Sequence, residues 1–150
     1  MADRQRRRTV LLGWLSFLGI LAALYLALLY APEEAKMGPV QRIFYFHVAS
    51  AWNGLHAFLV VFDMSIMYLR SGNRRWDIIA SSSAEIGVVF TSLVLVTGPI
   101  WARPIWGYWW TWDPRLTTTL ILWFIYLAYL VLRASAEGSE QRARFAAVFG

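Results

Sequence analysis

The chain has no cysteine. Its own residues therefore supply no disulfide, no thiolate metal site and no thiol nucleophile. Charge is also scarce: Asp, Glu, Lys and Arg together make up 15% of the 150 residues, against about 25% in a soluble globular domain. Histidine occurs only twice, at His47 and His56. No P-loop signature, internal repeat or low-complexity linker is present.

The apolar residues, 59% of the chain, lie in long blocks. Residues 9–32, 43–62, 86–102 and 116–132 carry no Asp, Glu, Lys or Arg. A helix needs roughly 18 or more apolar residues to cross a ~30 Å hydrocarbon layer. Counting Glu85 into the third block, four spans are expected, near 10–31, 46–69, 78–99 and 115–133. A fifth apolar run begins at Phe145 and stops at Gly150, the pattern of a piece of a longer chain. The fold class is an all-α integral membrane protein, with residues 1–150 forming a single transmembrane domain. The basic N-terminus "RQRRRTVLLGWLSF" leads into an apolar run longer than the 7–15 residues of a cleaved signal peptide and reads as an uncleaved anchor.

The net charge of +5 would suggest nucleic acid in a soluble protein. Here its distribution has another cause. If the four spans alternate, Arg4, Arg6, Arg7, Arg8, Arg70, Arg74, Arg75, Arg133, Arg142 and Arg144 fall on one side, leaving Lys36, Arg42, Arg103 and Arg115 on the other. Basic residues gather on the cytoplasmic side. The N-terminus is then cytoplasmic and the loops 32–45 and 100–114 face outward, which in a bacterium means the periplasmic side of the cytoplasmic (inner) membrane. No nucleic-acid partner is expected.

Helix-end signals fit that layout. Pro99 in "TGPI" is expected to end the third helix. In "WDPRL", Asp113 suits an N-cap and Pro114 the first helical position. Trp14, Trp52, Trp76 and Trp123 read as interfacial belt residues. The stretch between the third and fourth helices differs from them. Five of the nine tryptophans, Trp101, Trp106, Trp109, Trp110 and Trp112, lie there. A belt spreads over many helix ends and needs no such crowding. If this stretch is a short helix on the membrane surface, Trp106, Trp109 and Trp110 share a face and Trp109 neighbours Trp112. That face is an aromatic platform for a large flat amphiphile, with haem, quinone and membrane lipid as candidates.

Haem requires an axial ligand, and without cysteine the suppliers are His, Met and Tyr. His47 sits at the outer end of the second span, level with the Trp stretch. His56 lies nine residues on, roughly 13 Å deeper and on the opposite helix face. The two cannot share one haem, so His47 is either an iron ligand or a locally bonded interfacial residue, and His56 a packing residue. Asp113 can also meet a Trp N–H or the ligand's edge. Arg103 and Arg115 can pair with carboxylates or with lipid headgroups, and Arg42 is a weaker candidate. Asp63 and Glu85 are intramembrane acids at similar depth, candidates to share a proton or to pair with Ser81, Ser82 or His56.

Taken together, "WGYWWTWDPRLT" at 106–117, "LVTGPIW" at 95–101 and "YFHVASAW" at 45–52 resemble the haem-delivery protein C of bacterial cytochrome c maturation, a member of the WWD-motif proteins. The motif W-G-x-x-W-x-W-D-x-R-L-T is matched throughout, and the likeness covers residues 40–130. The resemblance implies binding of haem b at the periplasmic face and its presentation to a periplasmic haem chaperone. It also implies two kinds of partner: a small single-helix accessory subunit and ABC transporter subunits. The implied activity is transport rather than catalysis. The family's first axial histidine corresponds to His47. Its second comes from a later external loop, after the fifth of six helices, and has no counterpart here. Two other readings of the Trp motif stay open: a cytochrome c synthetase (haem lyase) component and a quinone-binding membrane subunit. A purely structural membrane subunit is a third.

Overall fold

The computed structural model describes residues 2–135 and 139–150, and the described residues outside loops are helical. The helices are α1 (Ala2–Tyr25), continued by a π-helical turn over Leu26–Tyr30, α2 (Gln41–Ser71), α3 (Arg74–Trp106), α4 (Pro114–Ser135) and α5 (Ser139–Phe149). The first four are long and apolar enough to cross a membrane. This is an all-α, multi-pass membrane protein. The chain divides into two compact units at Tyr45/Phe46.

In the first unit α1 begins well before the apolar run. Arg and Gln are good helix formers, and Asp3 accepts a hydrogen bond from Arg7 one turn on, at 3.2 Å. The helix is apolar all round from Val10 onward, and its side chains from Val10 to Leu21 are exposed. Such a helix is made for lipid or for partner helices. Pro32 ends it, because Ala31 is held extended at ψ 125°. A tight turn follows, in which the Glu34 carboxylate accepts from the backbone N–H of Lys36 and Met37. Gly38, at φ +57°, closes this turn.

The second unit packs α2, α3, α4 and α5 through small residues. The buried stripe of α3 is Ala80, Ala84, Gly87, Thr91, Gly98 and Ala102. The facing stripe of α2 is Ser50, Gly54, Ala57, Phe58, Val61, Ser65 and Tyr68. In a membrane, apolar burial does not drive helices together, so close backbone approach and polar contacts decide packing. The Phe58 ring lies directly on Gly87, and Tyr126 of α4 stacks on Phe58 at 3.8 Å between centroids, 9° from parallel. Trp123 Nε1 donates to Ser92 Oγ at 2.8 Å, and Ser92 donates onward to the Val88 carbonyl. Trp123 is therefore a bundle residue, not the belt residue its type suggested. Trp76 also packs inward, against the cluster of Tyr68, Ala143 and Ala147. At the end of the bundle away from His47, Arg133 forms a two-pronged pair with Asp77, their side chains 14% and 13% exposed, and lies over the Tyr129 ring.

The fifth helix starts at Ser139, six residues before the apolar run expected from Phe145. Its buried face is Ala143, Ala146 and Ala147, while Phe145 points away. Small alanines let it lie close to α2 and α4, where Ala146 joins the core with Val61 and Tyr129.

A second departure concerns α3, which does not stop at Pro99. It runs through Pro99 and Pro104 to Trp106 and ends at Gly107, whose φ of +84° caps it. Each proline leaves one carbonyl of the preceding turn without its N–H, but membrane-spanning helices tolerate this when neighbours hold the segment. The contacts at Gly98 and Ala102, both buried, supply that hold.

Candidate functional site

Because α3 extends to Trp106, the Trp-rich stretch is shorter and less regular than a surface helix. Residues 107–113 are non-helical. Gly107 N–H bonds to the Arg103 carbonyl, and the Arg103 guanidinium bonds back to the Gly107 carbonyl. Arg103 is thus engaged in ending its own helix.

The chain then turns through Tyr108–Thr111 into α4, whose start is fixed by Asp113. Its Oδ1 accepts from the backbone N–H of Arg115 at 2.9 Å and Leu116 at 3.2 Å, and its Oδ2 accepts from the Thr111 hydroxyl at 2.7 Å. The N-cap reading of Asp113 is therefore its geometry. These bonds, the Thr111 hydroxyl foremost, hold the carboxyl below the usual carboxylate range. Arg115 stands 3.6 Å from the same carboxylate with its side chain 83% exposed, a contact worth little by itself.

The tryptophans do not form one flat platform. Trp101 and Trp106 meet edge to face at 4.8 Å and 83°, Tyr108 leans on Trp106 at 6.1 Å, and Trp110 and Trp112 meet at 5.8 Å and 77°. The expected helical spacing failed because Gly107 breaks the helix, so the rings are arranged by a loop. Tyr108 is an aromatic member of this corner that the sequence reading left out. Its place between Trp106 and Trp109 was the available signal.

Four elements meet around a cavity of about 250 Å³. From α2 comes His47, with Ala51. From α3 come Val94, Leu95, Gly98, Pro99, Trp101, Ala102 and Trp106. From the loop come Tyr108, Trp109, Trp110 and Asp113, and from α4 Arg115, Leu116 and Thr119. The cavity thus unites His47 with Trp101, Trp106, Trp109, Trp110, Asp113 and Arg115. It does not take in Trp112, which is 76% exposed, nor Arg103. Arg42 belongs to the first unit. The buried Trp110 Nε1 has no hydrogen-bond acceptor among the described residues.

His47 is half-buried, and its Nδ1 lies 3.0 Å from Thr97 Oγ1. Gly98 lies against the same ring: a Cβ there would stand 3.1 Å from His47 Cε1. Neither Thr97 nor Gly98 was singled out from the sequence.

His56 is elsewhere. Its Nδ1 lies 2.7 Å from the Trp52 carbonyl, its ring rests beside Trp52 at 5.5 Å, and it does not line the cavity. Asp63 and Glu85 do not meet either. Both side chains are exposed, and among the described residues neither makes a hydrogen bond or ion pair. Glu85 lines a separate recess with Ser81, Arg133 and Arg142. No group of three or more His, Asp or Glu suited to a bare metal ion occurs among the described residues.

The model of the family described as heme exporter protein C matches residues 2–150. The chain belongs to the heme exporter protein C family. Among its relatives, a cytochrome c biosynthesis ccmC-like mitochondrial protein of Marchantia polymorpha is 38% identical over 125 residues, covering 83% of this chain and 54% of that protein. The heme exporter protein C of Paracoccus denitrificans is 37% identical over 112 residues, 75% of this chain and 46% of the relative. That of Escherichia coli is 35% identical over 123 residues, 79% and 49% respectively. The chain spans about half the length of the curated relatives it matches. Heme exporter protein C membership accords with the resemblance read from the WWD stretch and from "YFHVASAW", and the cavity is where those two segments meet.

Proposed function

We propose that this chain binds haem b at the periplasmic face of the cytoplasmic membrane and presents it for cytochrome c maturation. His47 is the axial ligand on one side of the iron. The observation that carries this reading is the single cavity lined by His47, by Trp106, Trp109 and Trp110 of the WWD stretch, and by Trp101 just before it. The names of the relatives, heme exporter protein C and a cytochrome c biosynthesis protein, support haem as the cargo.

The residues fit such a ligand. A cavity of about 250 Å³ is smaller than the ~300–1,000 Å³ typical of pockets that enclose a ligand. A porphyrin therefore fills it and extends past it, over the exposed rings of Trp109 and Trp112, where it stays open to an acceptor. That suits delivery better than permanent retention. Arg115, exposed at the rim, can pair with a propionate, and the Trp110 N–H is a donor still in need of an acceptor. Having no cysteine, the chain makes no thioether to haem.

The role is transfer, not catalysis. The receiver is a periplasmic haem chaperone, with a small single-helix subunit and ABC transporter subunits as companions. The second axial ligand is not His56, which lies off the cavity.

The test is His47→Ala in the purified membrane protein, with bound haem read from the Soret absorption. Loss of most of the haem is expected, and an unchanged haem content and spectrum refutes the ligand role. Wild-type protein without any Soret band points instead to a quinone. Covalent haem on an apocytochrome co-expressed with this chain alone points to a haem lyase.

A further inference from the structure

The hydrogen bond behind His47 decides which of its nitrogens can reach iron. Thr97 has one hydroxyl proton, and Thr97 Oγ1 donates it to the Leu93 carbonyl of the preceding turn at 2.7 Å. That oxygen can then only accept from its second neighbour, His47 Nδ1, at 3.0 Å. The proton on the imidazole is therefore on Nδ1, and Nε2 carries the free lone pair. A neutral imidazole with Nε2 unprotonated is the form that binds a metal, and ligating histidines commonly donate their other N–H in this way.

The neighbouring residue completes the seat. Gly98 has no side chain, and even a methyl group there would sit 3.1 Å from His47 Cε1, tighter than ordinary contact. The ring thus lies close to the α3 backbone at Gly98, with its Nδ1 at 3.0 Å from Thr97 Oγ1. Both residues come from one turn of α3 just before Pro99. The proline removes its own N–H from the helix without disturbing the Thr97–Leu93 bond.

We infer that Thr97 is a positioning residue for the axial ligand: it fixes His47 in the Nδ1–H tautomer and leaves Nε2 for iron, while Gly98 sets the depth of the ring. This rests on the proposed haem role for its consequence, but not for the tautomer itself, which is a property of the haem-free protein.

The test uses the full chain in lipid nanodiscs without haem, in a His56→Gln background so that His47 gives the only imidazole signal. Its nitrogen NMR shifts report which ring nitrogen is protonated. The wild-type residue at 97 should give the Nδ1–H form, and Thr97→Val should give the Nε2–H form or a mixture. Thr97→Ser keeps the acceptor and should restore the first pattern. In haem titrations Thr97→Val should weaken binding by about 10–100-fold, the usual effect of losing such a partner, with Thr97→Ser near wild type.

An Nε2–H tautomer at wild-type Thr97 overturns the inference without recourse to any variant. So does a Thr97→Val protein with unchanged tautomer and affinity. If His47→Ala keeps its haem, the proposed haem site fails. If His47→Ala loses haem while Thr97→Val changes neither tautomer nor affinity, only the role of Thr97 fails.

Discussion

Substituting Gly87 by alanine probes how α2, α3 and α4 are held together. The new methyl carbon would lie 2.3, 2.6 and 3.0 Å from Cε1, Cδ1 and Cζ of Phe58. Comfortable carbon–carbon contact is about 3.5–4.0 Å, so the nearest ring carbon must retreat by more than ~1 Å. The ring has little room to do so. One face is covered by the Tyr126 ring at 3.8 Å, the residue is 5% exposed, and the Tyr126 hydroxyl bonds to the Phe58 carbonyl at 3.4 Å. Overpacking of this kind costs about 1–3 kcal/mol, and the upper end is expected because a stacked aromatic pair must move together.

Unfolding in mixed micelles by rising SDS, followed by helical circular dichroism, measures the loss. Phe58→Leu removes the ring carbons that clash, so Gly87→Ala in that background should cost less than half as much. The two changes should therefore couple by ~0.5–3 kcal/mol, as contacting residues do. A Gly87→Ala protein as stable as wild type, or strict additivity with Phe58→Leu, would refute the packing argument.

Other expectations follow from the same geometry. Asp77→Asn removes the negative charge paired with the Arg133 cation, whose side chain is 14% exposed, and should destabilise toward the lower end of the ~3–5 kcal/mol seen when one partner of a buried pair is removed. Replacing both, as Asp77→Asn with Arg133→Met, should recover part of that loss in the same SDS titration. At the loop, the Asp113 carboxyl is held below its ordinary value, so the cap it makes is intact above the ordinary carboxylate pKa and is lost as pH falls through the lower folded value. Tryptophan fluorescence should thus change on the acid side of the ordinary carboxylate range in wild type and not in Asp113→Asn, which keeps a capping oxygen but no titration. The same acid transition in both proteins would refute the assignment.

Much of the architecture was legible in the sequence. The charge-free blocks marked the four long helices, because crossing a hydrocarbon layer constrains length and composition residue by residue. The Asp113-Pro114 pair marked the start of α4 for an equally local reason, the capping of free N–H groups. The three segments that carry the family resemblance, at 45–52, 95–101 and 106–117, line one cavity.

The misses share a cause as well. Pro99 looked like a helix stop, since propensity counts only the lost bond and clash within the helix, whereas contacts at Gly98 and Ala102 carry α3 on to Trp106. The Trp spacing looked helical, but a left-handed Gly107 turned the stretch into a loop. Trp123 looked like a belt residue until Ser92 on another helix accepted its N–H. Asp63 and Glu85 matched in depth, yet depth does not give the face of a helix.

The sequence alone therefore determined that this is a multi-span helical membrane protein with its tryptophans between two spans, since those properties are sums over neighbouring residues. Only the tertiary structure decided which face of α2 meets α3. On that rests the contact of His47 with Thr97 and Gly98, fifty residues away along the chain. Hydrogen-bond direction and ring seating depend on atoms from two helices at once, and no local pattern encodes that meeting.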